Sequence, residues 1–427
     1  MKILLTVHGY PPEKVGGTET YTMNLARALK AGHDVAIFTR TSLPGEEYAL
    51  NRREDDGVTI WSVCNTYSTH HDYALHYRNP HIEPAFSKAL DVFRPDLIHF
   101  TYLLGGLSAS YLPMAAKRGI RTVVTLTDFH FLCAWGQLLT PEGNDCPGPD
   151  AGLRCAMCFA GENPYVGLSW WRKWRTMRLT PEEQAPRLNA PGLVRMRERI
   201  NYLKDVLNLA DVIISPTRFL QNVYRDWGVD SVCIPFAIDK SLFEGFERRK
   251  SEDMRFGFIG RLLPLKGLHI LLEALSDLPE DVANWRLLVY ADDSGDEEKQ
   301  YLTKVMKNVP DNIVFRGTFP AESIRGIYED MDVLVMPSLW AENSPMALLF
   351  ALHTRTPVVA SDIGGVREVA GPENAFLYPP RDVRALRDLL IKILRHPETL
   401  REIKPVNVQG MKEHIAQLKR FYWRESS

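Results

Sequence analysis

The stretch Arg255-Phe256-Gly257-Phe258-Ile259-Gly260-Arg261-Leu262-Leu263-Pro264-Leu265-Lys266-Gly267, followed by Leu268–Ser276, carries the pattern that decides the fold. A short run ending in glycine reads as a strand, and a Pro- and Gly-bearing turn follows it. Apolar residues then recur at three- and four-residue spacing, the period of a helix. The same unit repeats almost from end to end. In the first half, strands are expected at Lys2–Val7, Asp34–Arg40, Thr59–Val63, Leu97–Phe100, Thr122–Thr127, Val212–Ser215 and Val232–Phe236. In the second half they are expected at Arg255–Gly260, Arg286–Ala291, Ile313–Gly317, Val333–Ser338, Pro357–Ser361 and Ala375–Tyr378.

Alternation of strand and helix means parallel sheets flanked by helices, an α/β fold. So many strands exceed one ordinary doubly wound sheet, so two sheets are expected. The polar run Glu247-Arg248-Arg249-Lys250-Ser251-Glu252-Asp253 marks the boundary. It gives an N-terminal Rossmann-like domain, 1–238, and a C-terminal one, 239–410. Ligands of such sheets bind beyond the carboxyl ends of the strands, so two domains facing each other would form a cleft. The last segment reads as a helix, Met411–Trp423, with Ile415, Leu418, Phe421 and Tyr422 on one face.

Composition narrows the class. The chain has 427 residues, with 51 Lys and Arg against 53 Asp and Glu. That balance argues against a nucleic-acid binder, which needs a basic footprint. No apolar run reaches the roughly 18 residues that span a bilayer. The apolar start, Met1–His8, is too short for a signal peptide and reads as a strand, which gives a cytoplasmic expectation.

Three motifs carry chemistry. Gly16-Gly17-Thr18-Glu19 follows the first strand and opens a helix, whose free N–H groups suit an anion; the alternative is a tight turn with no ligand. Gly260-Arg261 through Lys266-Gly267 places a guanidinium and an ammonium at a strand end, where they suit a diphosphate; the alternative is two solvated cations. Glu342-Asn343-Ser344-Pro345-Met346 follows another strand, and Thr356–Ser361 leads to Gly364-Gly365. Glu342 suits sugar hydroxyls, or serves only to cap the helix.

In this order and spacing the three motifs resemble the GT-B glycosyltransferases, specifically glycosyltransferase family 4. The resemblance covers nearly the whole chain and includes Ile213–Leu220 and Pro379-Pro380-Arg381-Asp382. It implies retaining transfer of a sugar from a nucleotide-diphosphate donor to a glycan, lipid-linked or small-molecule acceptor, without a catalytic metal. The C-terminal domain would bind the donor and the N-terminal domain the acceptor. Residues 411–427 would return to the N-terminal domain. Arg261 and Lys266 would hold the diphosphate and Glu342 the donor sugar. Gly260, Asn343, Ser344, Pro345 and Met346 would line the donor site, and Gly16 and Gly17 would close over the phosphates. The motif that often reads Thr-Leu-His-Asp is here Thr125-Leu126-Thr127-Asp128, so Asp128 and the nearby His130 complete the catalytic set; a lone His is otherwise a packed or surface residue. The second glutamate of the family, which holds the nucleotide ribose, is replaced by Phe350, and Arg355 stands where a glycine is usual. These departures motivate an alternative: a nucleotide-sugar-binding or scaffold homologue with impaired turnover. A sugar-nucleotide epimerase fits less well.

From Cys133 to about Leu193 no strand is expected, so this stretch reads as an insertion in the N-terminal domain. Cys133, Cys146, Cys155 and Cys158 end in a Cys-x-x-Cys and suit a structural zinc site; buried thiols or a disulfide pair are the alternatives. Tyr165–Leu179 carries three Trp among four cations. Such a helix can lie on an anionic membrane, placing the protein at the inner membrane face, or can pack its Trp onto the domain.

Overall fold

The computed structural model describes residues 1–69, 72–140, 144–149, 152–159, 190–293, 295–307 and 309–423. The chain divides into two compact units, Met1–Phe236 together with Met411–Ser427, and Ala237–Gly410.

The first unit holds an eight-stranded sheet in the order β3-β4-β2-β1-β5-β6-β7-β8. Its strands are β1 Lys2–Val7, β2 Asp34–Thr41, β3 Leu50–Asp55, β4 Val58–Cys64, β5 Leu97–Phe100, β6 Arg121–Thr125, β7 Val212–Ser215 and β8 Val232–Cys233. All pairs are parallel except β3 with β4, which is antiparallel. That edge strand, Leu-Asn-Arg-Arg-Glu-Asp, is absent from the sequence expectation because it is mostly exposed and carries no apolar alternation. Charge on an edge strand discourages pairing with other chains. The expected strand at Val232–Phe236 stops at Cys233, and the one at Thr122–Thr127 stops at Thr125. Helices Gly17–Lys30, Glu83–Phe93, Tyr111–Lys117 and Arg218–Asp226 connect these strands.

The second unit holds a six-stranded, all-parallel sheet in the order β11-β10-β9-β12-β13-β14. Its strands are β9 Met254–Arg261, β10 Trp285–Asp292, β11 Ile313–Gly317, β12 Val333–Met336, β13 Val358–Ser361 and β14 Phe376–Tyr378. The winding reverses between β9 and β12, as it does between β1 and β5 in the first unit. At such switch points adjacent loops diverge and leave a crevice outside the carboxyl ends of the strands. The second core packs Leu287, Val289, Val333 and Val335 of the sheet against Leu271 and Leu275 of helix Leu268–Ser276 and Leu390 of helix Val383–Arg395.

Helix Met411–Tyr422 belongs to the first unit. Its buried stripe is Met411, His414, Leu418 and Tyr422, so His414 stands where the apolar pattern pointed to Ile415, and Ile415 and Phe421 are only half-buried. The histidine is held by hydrogen bonding: Tyr21 Oη lies 2.8 Å from His414 Nε2. Tyr422 Oη likewise meets His99 Nδ1 at 2.8 Å, and His99 Nε2 meets Thr125 Oγ1 at 2.7 Å.

Candidate active site

In the second unit, Lys266 follows β9 and Glu342 follows β12, so the switch point brings them together. Lys266 Nζ donates to Glu342 Oε1 at 2.5 Å, and both side chains are largely buried. The same oxygen accepts from Ser338 Oγ at 2.8 Å and Trp340 Nε1 at 3.1 Å. The ammonium also stands 5.4 Å from the Trp340 ring centroid. Three donors and an aromatic face therefore fix one carboxylate at a strand end. Glycines permit this. Gly267 has φ +74°, and a Cβ there would strike Pro337 O. Gly365 donates its N–H to Glu342 O at 2.7 Å, and a Cβ on it would strike Asn343 O. Asn343, Ser344 and Met346 are buried beside Glu342, and Pro345 precedes helix Met346–His353.

Gly260 and Arg261 close β9. Arg261 does not join Lys266; it pairs with Glu298 at 3.0 Å and is mostly exposed. Phe350 is buried and packs 5.4 Å from Phe243 and 6.2 Å from Tyr328, so its side chain belongs to a ring cluster.

In the first unit, Gly16 caps helix Gly17–Lys30 and Gly17 is its first residue. Glu19, one turn in, is buried beside them. Its Oε1 lies 3.3 Å from His8 Nε2 and 3.6 Å from Lys14 Nζ. His8 follows β1 and Tyr102 follows β5; their rings meet at 4.0 Å at this sheet's switch point. Tyr102 Oη then donates to Asp128 Oδ2 at 2.9 Å. His130 Nδ1 sits 2.7 Å from the same carboxylate oxygen, and His130 N donates to Asp128 Oδ1 at 2.9 Å. Burial alone would raise the Asp128 carboxyl, but the His130 ring and these hydrogen bonds outweigh it and hold the pKa below the usual range. The loop is anchored from behind, since Tyr224 Oη donates to Asp128 O at 2.9 Å and Arg199 donates to His130 O. Tyr102, Thr127, Asp128, His130 and Phe131 line a small pocket. Sequence reasoning found Asp128 and His130 but not Tyr102 or His8, which carry no motif. Glu19 lay within the glycine motif and could have been singled out.

Cys133, Cys146, Cys155 and Cys158 are half-buried thiols. Helix Leu153–Phe159 of the insertion brings Ala156 and Cys155 against Met196 and Ile200 of helix Ala190–Leu207. Burial pushes the Cys146 thiol up, and the nearby Cys133 adds to the shift. Among the described residues no three His, Cys, Asp or Glu side chains converge on a point that could hold a metal ion. Tyr165–Leu179 lies outside the described residues. No helix among the described residues is long and apolar enough to cross a membrane.

The family model for a glycosyl transferase 4-like domain matches residues 16–235, more than half of the chain, and that for glycosyl transferases group 1 matches 253–396. The chain belongs to this glycosyltransferase family. The resemblance read from the motifs is therefore borne out. TuaC of Bacillus subtilis, named for teichuronic acid biosynthesis, is 28% identical over 200 residues, 44% of this chain and 48% of that protein. The match thus spans about half of that curated relative. Sucrose-phosphate synthase from Thermosynechococcus elongatus superposes with a TM-score of 0.68 at 19% identity, covering 99% of this glycosyltransferase and 98% of that chain. HepE from Anabaena, in complex with UDP and glucose, gives 0.63 at 15% identity over 98% of each chain. These likenesses establish the fold of this family member as GT-B, with two parallel-rich α/β sheets.

Proposed function

We propose that this glycosyltransferase transfers a sugar, with retention of anomeric configuration, from a nucleotide-diphosphate donor to a glycan acceptor. The observation that carries this reading is the buried Lys266–Glu342 pair at the switch point of the second sheet. Residues 239–410 then form the donor domain and 1–238 the acceptor-side domain, with 411–427 completing the latter. Lys266 faces the diphosphate, Arg261 joins it on leaving Glu298, Glu342 accepts from donor-sugar hydroxyls, and backbone N–H groups at Ser344 and Met346 meet sugar or phosphate oxygens. Gly16 and Gly17 approach the phosphates. As the bond from the anomeric carbon to the phosphate oxygen breaks, negative charge grows on the leaving diphosphate. Fixed cations stabilise that charge and act in place of a catalytic metal. The acceptor hydroxyl attacks from the same face, and a phosphate oxygen takes its proton. Asp128 holds the His130 ring at the rim of the first unit's pocket, where it orients the reacting sugar.

UDP in the HepE complex makes UDP-sugars the first donors to try, and the TuaC name supports a polysaccharide acceptor. Transfer assays across UDP-, GDP-, ADP- and TDP-sugars test the reading, with the product's anomeric configuration read by NMR. A retained configuration and full rate in EDTA are expected; an inverted product overturns the mechanism.

Phe350 favours a second reading. An apolar ring stands where a carboxylate would hold the ribose, which favours a nucleotide-sugar-binding or scaffold protein with little turnover. Donor binding with neither transfer nor hydrolysis would support it.

Two accessory features complete the proposal. Sequence spacing alone supports a structural zinc at Cys133, Cys146, Cys155 and Cys158; among the described residues no three of these thiols converge on a common point. Less than half an equivalent of zinc in purified protein would refute it. The Trp-rich segment Tyr165–Leu179 supports cytoplasmic activity at an anionic membrane surface. Co-sedimentation with anionic but not neutral vesicles tests that.

A further inference from the structure

The two nitrogens of the His130 ring stand in different surroundings, and Asp128 and Tyr102 make them differ. Asp128 Oδ2 lies 2.7 Å from Nδ1, and Tyr102 Oη lies 2.9 Å from it. Nε2 makes no hydrogen bond among the described residues, and the side chain is 39% exposed.

Tyr102 is built into the carboxyl edge of the first sheet. Its N–H donates to Thr6 O at 3.0 Å, and Thr6 Oγ1 donates to Tyr102 O at 2.8 Å. The ring packs against His8, and Gly105, at φ +66°, leaves room for both, since a Cβ there would come within 3.2 Å of each. The phenol is buried and donates to Asp128 Oδ2 at 2.9 Å. Gly136, at φ +68°, lies against the His130 ring, which a Cβ there would strike.

These contacts fix where the ring proton sits. Asp128 Oδ1 accepts from His130 N and Oδ2 accepts from the Tyr102 hydroxyl, so two donors favour the ionised carboxylate. An ionised oxygen 2.7 Å from Nδ1 requires a proton on that nitrogen. The Tyr102 hydroxyl directs its single proton to Asp128, so it too faces Nδ1 as an acceptor. The neutral ring therefore carries its proton on Nδ1 and presents Nε2 as an acceptor.

We propose that Tyr102 and Asp128 are positioning residues that hold His130 in this Nδ1–H tautomer, so that Nε2 accepts a hydrogen bond from a hydroxyl of the reacting sugar. The assignment to a sugar rests on the glycosyltransferase reading, whereas the tautomer is a property of this loop alone.

The test is nitrogen-15 NMR of the full chain labelled at histidine, at about pH 8, above the ordinary histidine range, with His130→Gln to assign the signals. The wild type should show a protonated Nδ1 and an unprotonated Nε2. Asp128→Asn, whose amide can donate to Nδ1, should move the proton to Nε2 and lower kcat for transfer at least tenfold, with KM for the nucleotide sugar kept within twofold. Tyr102→Phe keeps the ring against His8 and removes only the hydroxyl. It should lower kcat at least threefold, again with KM kept, and serves if Asp128→Asn does not fold. UDP-, GDP-, ADP- and TDP-sugars are the donors assayed. A proton on Nε2 in the wild type, or wild-type kcat in both variants, overturns the proposal. The Nδ1–H tautomer in a wild-type chain that transfers from none of these donors counts against the turnover reading alone.

Discussion

Where helix Met411–Tyr422 meets the first sheet, His99 and His414 are buried as neutral rings; at the carboxyl edge of the second sheet, Lys266 and Glu342 are buried as a charged pair. Burial pushes His99 down to about 3, with His414 adding to the shift, and pushes His414 down to about 4. Each ring meets a tyrosine hydroxyl, and no carboxylate pairs with either among the described residues. Lys266 instead faces a carboxylate that three donors converge on. A buried ion pair is a weak source of stability, because desolvation offsets most of its attraction. Its retention at a switch point is therefore better explained by charge that a ligand will use. The histidine seam joins helix Met411–Tyr422 to the first sheet through tyrosine hydroxyls.

The first way to break this comparison is to remove the charge. Lys266→Ala should lower kcat/KM by about 100- to 1000-fold, with Arg261→Ala also costing at least tenfold. Circular dichroism should stay native. A loss of fold without a larger loss of activity would place Lys266 with the structural groups.

Acid should act on the histidine seam. Both folded pKa values lie below the ordinary value near 6.5, so below pH 6.5 the unfolded chain binds protons that the folded chain refuses. Stability is then complete above pH 6.5 and falls as pH drops toward 4 and 3. At pH 5 each histidine should cost about 2 kcal/mol. Denaturant unfolding at pH 7 and 5 measures this, and replacing His414 by Gln should reduce the pH dependence.

A smaller effect follows from Tyr422→Phe, which strips one hydroxyl from His99. It should destabilise the first unit by about 1–3 kcal/mol without changing donor binding. The smallest concerns Glu298→Gln: its partner Arg261 is mostly exposed, so stability should move by less than about 1 kcal/mol. Thermal unfolding checks both.

The two regions also differ in how legible they were in the sequence. Strand-turn-helix units announce themselves through apolar runs and glycines, so the parallel strands and the Lys266 and Glu342 loops could be read directly. Leu50–Asp55 could not, because a charged edge strand has no buried face to pattern. His99, His414 and Tyr21 interrupt apolar stripes and are paired only by the fold, across separations no local motif spans. Arg261 was expected beside Lys266, yet it turns to Glu298, a residue on the helix after the neighbouring strand. Tyr102 and His8 meet only because the sheet order places β1 beside β5.

The central claim is that the second unit holds the donor through Lys266 and Glu342. Calorimetric titration of UDP, GDP, ADP and TDP into the wild-type chain and Lys266→Ala tests it most directly. One nucleotide should bind the wild type, and the variant should bind it at least tenfold more weakly while remaining folded. Equal binding to both proteins, or no binding of any nucleotide, would contradict it.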